Sequence, residues 1–441
     1  PGMKRCNILP ILFLLTIPLN LSAQKRWSLQ ECISYAWDNN LSIKQKEVAV
    51  EQSKNNAAQS RLEFIPSVNA SASHNMNWGR SVNMQDLEII ENKLNQGTNL
   101  SLSASVALFE GLSKINDIKS KDLVKEISLL EVGRVKNQIS VEIARAYLQV
   151  LLSKEILVSA GESLKSVEEQ RARMLILTDA GSLPYGSLLE IDAQLAGERV
   201  QVVNAKNQVS NSLLALKQLL DLRDDSGFEI MEVKVDTLLT GFQGESVEKM
   251  FEISRSLPQI RSAELNLKNT EIQLNMAKGR LYPTLSFSAG YGTYYNDSRE
   301  QSYLDQFNEN RNPSVGLSLQ IPIFNSGRLS NAVKNSKLEL KNSEIMVKSA
   351  EQALFKEIQQ ANSDALAYYE RFRAGEQNVR SMEESFRYVE SKFDLGALNA
   401  TDYTVARSNL FRARSELSQA KYQFVFQLKI LDFYKGVPIS L

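Results

Sequence analysis

The chain repeats itself once, at a spacing of about 215 residues, and this repeat limits its fold more than any other feature. Phe64-Ile65-Pro66-Ser67 returns as Leu281-Tyr282-Pro283-Thr284. Leu108-Phe109-Glu110-Gly111 returns as Ile323-Phe324-Asn325-Ser326-Gly327, and Asp179-Ala180-Gly181-Ser182-Leu183 as Asp394-Leu395-Gly396-Ala397-Leu398. The three offsets are 217, 215 and 215 residues, so whatever one half builds the other builds as well. No proline lies between Pro66 and Pro184, or between Pro322 and Pro438, which leaves room in both halves for very long helices.

Each half reads as helix, strand, strand, long helix, sharp turn and returning helix. Strands are indicated by alternation with a period of two. From Asn99 to Leu108, Leu100, Leu102, Ala104, Val106 and Leu108 alternate with asparagine and serine. Val315, Leu317, Leu319 and Ile321 alternate with serine, glycine and glutamine, and Leu285, Phe287, Ala289, Tyr291 and Tyr295 form one face of a third strand. A fourth, Ser67 to Trp78, alternates serine and asparagine with Val68, Ala70, Ala72, Met76 and Trp78. The polar faces carry small neutral groups rather than Lys and Glu, which suits a water-filled lumen, and four such segments of about ten residues match a transmembrane barrel wall. Trp78, Tyr291, Tyr294 and Tyr295 sit near strand ends, where an aromatic girdle meets the lipid interface. The competing reading is a half-buried sheet in a soluble sandwich.

The long helices carry coiled-coil seams. Ile358, Ala361, Ala365, Tyr368, Phe372, Gly375, Val379, Met382, Phe386, Val389 and Phe393 step by three and four, and Ile143 to Thr178 repeat that register with polar interruptions at Ser153, Arg171 and Thr178. A helix from about 113 to 178 extends on the order of 100 Å. The returning helices keep the pattern, Leu188, Ile191 and Leu195 answering Tyr403, Ala406 and Leu410, so each half ends in a helical hairpin. Four strands cannot close a barrel, and lipid does not tolerate an open sheet edge, so copies must share one wall. Two chains would supply about eight strands with little lumen, and three about twelve with a pore.

The start of the chain reads as an export signal. After Pro1-Gly2, Met3-Lys4-Arg5 is basic, Ile8 to Leu21 is mostly apolar, and Leu21-Ser22-Ala23 supplies small residues for cleavage near Gln24. The alternative, a membrane anchor helix, is opposed by Pro10, Pro18 and Asn20 in a run of only about 14 residues. Loss of Cys6 with the signal leaves Cys32 alone, so neither an intrachain disulfide nor a cysteine zinc site is expected. The 51 basic and 51 acidic side chains balance, which argues against a nucleic-acid partner. His74 is the only histidine and has no partner for a triad or metal site; it reads as a strand residue. Gly290-Tyr291-Gly292 looks like part of a phosphate loop but falls inside strand alternation. No catalytic constellation, metal site or cofactor is expected.

These features together resemble the TolC-like outer membrane efflux protein family across nearly the whole chain. The resemblance rests on two tandem halves, Pro66 and Pro283 entering the first strand of each pair, the Leu-Gln-Ile-Pro-Ile-Phe-Asn-Ser-Gly segment at 319–327 with Pro322, and the tip segment Phe393-Asp394-Leu395-Gly396 followed by Asp402. It implies an α-helical protein with a membrane β-barrel: a trimer whose twelve-strand barrel sits in outer-membrane lipid and continues into a periplasmic coiled-coil cylinder. It also implies an exit duct for small molecules or proteins, whose tips dock a periplasmic adaptor coupled to an inner-membrane transporter of RND, ABC or MFS type. Tip and docking residues would be Gly181, Ser182, Leu183 and Pro184 in one half and Gly396, Ala397, Leu398 and Asn399 in the other. In several relatives two acids three apart ring the periplasmic entrance. Asp402 matches the first, Val405 stands at the second, and Glu190 and Asp192 lie nearby in the first half, where Ser187 holds the position of Asp402. An acidic constriction of this kind would favour cations; the other reading of these acids is a solvated helix face. Phe393 and Leu398 stand where some relatives hold a polar latch, so a latch of that type is not expected.

The expected organisation is a signal at 1–23, a first repeat at 24–221, an inter-repeat segment at 222–248, a second repeat at 249–434 and a tail at 435–441. Strands are expected at about 67–78, 98–109, 284–295 and 314–324, with hairpins at about 112–221 and 327–434 and surface loops at 80–97 and 296–312. The inter-repeat segment and tail should form a mixed collar around the helices. A rival function, a structural periplasmic coiled-coil protein, explains the helices but not the strands.

Overall fold

The computed structural model describes residues 26–82, 88–222, 227–233, 242–299, 301–395 and 397–441. The expected signal, Gly396 and parts of the inter-repeat segment lie outside these residues. The chain opens with β1 (Arg26–Trp27) and α1 (Leu29–Asn39), the latter started by a capping box in which Ser28 accepts from the Glu31 backbone and the Glu31 carboxylate accepts from the Ser28 N–H at 2.9 Å. There follow α2 (Leu41–Leu62), β2 (Ser67–Val82), β3 (Ile89–Glu110), α3 (Ser113–Asp179) and α4 (Tyr185–Leu219). After β4 (Glu229–Ile230) and α5 (Val247–Ser254) the plan repeats: α6 (Pro258–Gly279), β5 (Thr284–Asn296), α7 (Tyr303–Glu309), β6 (Asn312–Gln320), α8 (Arg328–Asp394) and α9 (Ala400–Tyr434).

The two halves match in the lengths of their principal helices, α2 and α6 both having 22 residues. The long helices α3 and α8 are both 67 residues, which is about 100 Å, and the returning helices α4 and α9 are both 35. Each long helix is entered through two consecutive left-handed residues, Gly111 and Leu112 at φ 57° and 64°, and Ser326 and Gly327 at φ 55° and 75°. Gly111 has a second reason to be glycine: a Cβ there would lie 2.0 Å from the Gly279 carbonyl oxygen, where the end of α6 crosses the strand-to-helix corner.

The four long strands form one antiparallel sheet in the order β2-β3-β5-β6, leaving β2 and β6 as open edges. Pro66 and Pro283 each precede the first residue of a strand, where a missing N–H costs no ladder bond. Two strand boundaries differ from expectation. The β2/β3 ladder continues to Val82 paired with Ile89, so most of the expected 80–97 loop is sheet. The last strand ends at Gln320 rather than 324, because Pro322 cannot donate to a ladder and Ile321 to Asn325 leave the sheet. The expected 296–312 loop contains α7.

Along the helices, α6 packs between α3 and α8 near the sheet, and α9 packs between α3 and α8 further down, while α2 and α4 cover the other flank of α3. The largest core gathers Cys32, Ile43, Ile143, Tyr147, Val150 and Leu216 around the middle of α3. Parts of the inter-repeat segment and tail close over it. β4 pairs in parallel with β1, the Tyr147 hydroxyl donates to the Met231 carbonyl at 2.7 Å, and Ile439 is buried. Burial pushes the Cys32 thiol up to about 12, so it stays a neutral core group.

Candidate functional site

The sheet separates its side chains by chemistry. In register across the strands, Ser71, Ser101 and Gly292 share one face with Asn69, Ser103, Gly290 and Ser314, and the Ser71 and Ser101 hydroxyls bond at 2.7 Å. The opposite face carries Val68, Leu102, Tyr291, Val315 and Leu317, all exposed in the single chain. An apolar face left open beside a serine face is what a barrel wall presents to lipid and lumen.

At the far end of the molecule the hairpins turn tightly. After α3, the Gly181 N–H donates to the Thr178 carbonyl and the Ser182 N–H to Leu177, both at 2.9 Å, with Gly181 at φ 71°. After α8, the Ala397 N–H donates to the Lys392 carbonyl at 2.9 Å, the same closing bond at the repeated position. Leu183 folds back onto the Val167, Met174 and Ile191 cluster and is half-buried, as is Leu398, whereas Ser182, Pro184, Ala397 and Asn399 are exposed. Leu395, absent from the expected docking set, is the more open apolar tip residue at 83 % exposure.

Asp402 lies in the first turn of α9, where the Asn399 side chain caps the helix by accepting from the Asp402 N–H at 2.8 Å. Its side chain is exposed, and the aligned peptide dipoles at this end of α9 favour a carboxylate there. Glu190 is exposed too. Asp192 is engaged differently, as it is ion-paired with Arg171 inside its own hairpin. The Thr404 hydroxyl donates to the Gln194 side chain at 2.8 Å, which sets α4 and α9 side by side and places Asp402 and Glu190 toward the tip end of adjacent helices.

Polar ties between the two hairpins escaped the sequence reading. Arg173 pairs with Asp394 at 3.0 Å across the tips. Arg407 is buried, donating to the Ser163 hydroxyl at 3.1 Å, to the Ser163 carbonyl and to the Tyr403 hydroxyl at 3.3 Å, with Glu198 at 4.0 Å. Tyr403 is fully buried, its ring stacked on Phe393 with centroids 4.8 Å apart, and burial raises its phenol above the ordinary value. One signal was available: Arg407 stands 215 residues after Asp192, so the repeat marks both as positions facing a neighbouring helix.

A family model described as outer membrane efflux protein matches residues 32–221 and again 253–436, most of the chain. The chain belongs to the outer membrane efflux protein family. It is 20% identical over 381 residues to the outer membrane protein TolC of Vibrio cholerae, covering 86% of this chain and 83% of that one. It is 21% identical over 394 residues to the cation efflux system protein CusC of Escherichia coli, covering 88% and 82%. A crystal structure of CusC superimposes with a TM-score of 0.79 at 18% identity, covering 99% of each chain, which establishes the shared fold. The family consists of outer-membrane channels that serve as exit ducts of efflux and type I secretion systems. This chain is such a duct subunit, located in the outer membrane.

Proposed function

We propose that three copies of this chain close one continuous duct through which cargo leaves the cell. The sheet carries this reading: four strands with two open edges, one serine-lined face and one exposed apolar face. Lipid makes unpaired backbone edges costly, by several kcal/mol for each unsatisfied group, so β6 of one copy pairs with β2 of the next until the ring closes. Three copies give about twelve strands, enough for a water-filled pore. The helices support the same ring, because α8 near the barrel (Leu338, Ile345 and Met346) and α4 near the tips (Leu189, Val200 and Val203) each leave apolar side chains exposed for a neighbouring copy to cover.

In this assembly cargo enters between the hairpin tips and leaves through the barrel. An adaptor docks on Gly181, Ser182, Leu183 and Pro184 and on Gly396, Ala397, Leu398 and Asn399, and couples the duct to an inner-membrane transporter of RND, ABC or MFS type. Asp402, with exposed Glu190 on the neighbouring α4, gathers negative charge at the entrance and favours cations; Asp192 contributes less because Arg171 neutralises it. Single-channel conductance in planar bilayers, parent against Asp402→Ala, tests the reading. Cation-preferring pores whose preference weakens in the variant are expected. Pores with unchanged selectivity would remove Asp402 from the constriction, and folded, inserted protein that conducts nothing would overturn the duct itself.

A further inference from the structure

Helix α7, in the connection from β5 to β6, lies against the sheet, and four contacts decide which face it covers, although Arg299 ahead of it reaches round the strand end to Tyr294 on the other face. The Thr293 hydroxyl donates to the Phe307 carbonyl at 2.7 Å. The Tyr303 ring stacks on Tyr295 with centroids 3.6 Å apart. The Tyr303 and Thr98 hydroxyls bond at 2.9 Å, and Thr98 in turn meets His74 Nδ1 at 2.8 Å. In the strand register Tyr295 stands opposite Thr98 and Thr98 opposite His74, while Thr293 stands opposite Leu100. All of these belong to the face that carries Leu102 and Tyr291, not to the serine face. α7 therefore rests on the apolar outside of the wall.

The segment holds its own shape. Gln306 is fully buried, accepting from the Asn296 N–H at 2.9 Å and donating to the carbonyls of Asn296 and Gln301, each at 3.0 Å. Ser302 caps the helix by accepting from the Asp305 N–H at 3.3 Å. With Tyr303, Gln306 and Phe307 turned to the sheet, helical spacing puts Leu304 on one flank and Asp305 and Glu309 on the other side. Leu304 is 74% exposed.

Height along the wall fixes what α7 meets. Leu285 to Tyr295 spans about 34 Å at ~3.4 Å per residue, or roughly 25 Å along the membrane normal once strands tilt by about 40°, the height of an apolar band. Tyr295 then marks the outer edge of that band, and α7 lies on it. We propose that α7 is an interfacial foot that touches outer-leaflet lipid where acyl chains meet headgroups, with Leu304 toward the acyl chains and Asp305 and Glu309 toward water. The inference rests on the membrane placement of the sheet and adds a lipid contact to it.

Nitroxide labels at Leu304→Cys, Glu309→Cys and Leu102→Cys, in the full chain reconstituted in phospholipid bilayers, test it. The unsubstituted chain, labelled in parallel, supplies the background, and buried Cys32 is shielded from the reagent. Accessibility to oxygen, which concentrates in lipid, is compared with accessibility to a water-soluble nickel chelate. Expected are lipid-type accessibility at 102 and 304 and water-type accessibility at 309, with the oxygen-to-nickel ratio several-fold higher at 304 than at 309. Lipid-type accessibility at 102 with water-type accessibility at both 304 and 309 would overturn the foot and leave the barrel standing. Water-type accessibility at 102 as well would overturn the membrane placement itself.

Discussion

Glu155 on α3 and Lys421 on α9 tie the two hairpins together, with the ammonium 2.8 and 2.7 Å from the two carboxylate oxygens and the Ser418 hydroxyl donating at 2.6 Å. Burial alone would raise the Glu155 pKa, but the bonds from Lys421 and Ser418 outweigh it and hold the carboxyl below its usual 4.5. A depressed folded-state value means the stabilisation is fully present above the ordinary carboxylate range and is lost as pH falls through the folded-state value. Glu155→Gln should therefore cost about 1–3 kcal/mol at neutral pH, and the melting curves of variant and parent should converge in acid. A gap that stays constant across the titration would show that the charge contributes nothing. Glycines give a second contrast. Gly181→Ala meets no atom within 4 Å and should cost only the left-handed backbone penalty, about 1–2 kcal/mol. Gly111→Ala adds a collision with Gly279 and should cost clearly more in the same denaturation series; equal costs would dismiss the close approach. Both glycines stand out in the sequence because they sit at repeated corners, whereas their difference depends on a crossing of α6 that no local pattern encodes. Arg407 carried only the signal of the repeat, for a related reason. A seam position usually wants an apolar side chain, and an arginine is tolerated there only because Ser163 and Tyr403 satisfy it.

Among the elements, the long helices were legible almost to the residue, since sixty-odd residues of seam register average out every local irregularity. Caps sharpen their ends. Asn399→Ala removes the side-chain acceptor at the start of α9 and should cost about 1 kcal/mol, with faster hydrogen exchange confined to the first turn that carries Asp402; unchanged exchange there would mean that other contacts hold the turn. Strand bounds were less legible, because a ladder stops where its partner stops rather than where alternation fades. β2 and β3 continue past the apolar band by pairing with each other, and β6 ends early at Pro322. α7 was missed because seven residues carry too little periodicity, and its deciding contact, Gln306 bonded to Asn296 and Gln301, is tertiary.

For the whole molecule, the surfaces left uncovered among the described residues fall on two opposite flanks: the β2 edge with the outer sides of α2 and α4 on one, the β6 edge with the outer side of α8 on the other. A chain with two complementary flanks and no closure of its own forms a ring or a filament, and the shared barrel decides for the ring. Native mass measurement in detergent should give three copies, and stable monomers that still conduct would defeat the closure argument. Within the ring, motion is confined to what the tip ties permit. Arg173 and Asp394 cross from the first hairpin to the second at 3.0 Å, and Thr404 reaches Gln194 nearby, so a separation of the hairpins that widens the entrance must break both. An exposed ion pair contributes about 0–1 kcal/mol and a neutral hydrogen bond about 0.5–1.5, so adaptor binding need supply only modest differential affinity to release these two, with the buried Arg407–Ser163 tie further up left in place. Cysteines replacing Arg173 and Asp394, joined by a short bis-maleimide, hold the hairpins together irrespective of the adaptor. If widening gates the duct, the linked protein should insert and assemble as the parent does yet fail to transport, and cleavage of a reducible version of the linker should restore transport. Undiminished transport through the linked duct would mean that cargo passes without the two hairpins parting.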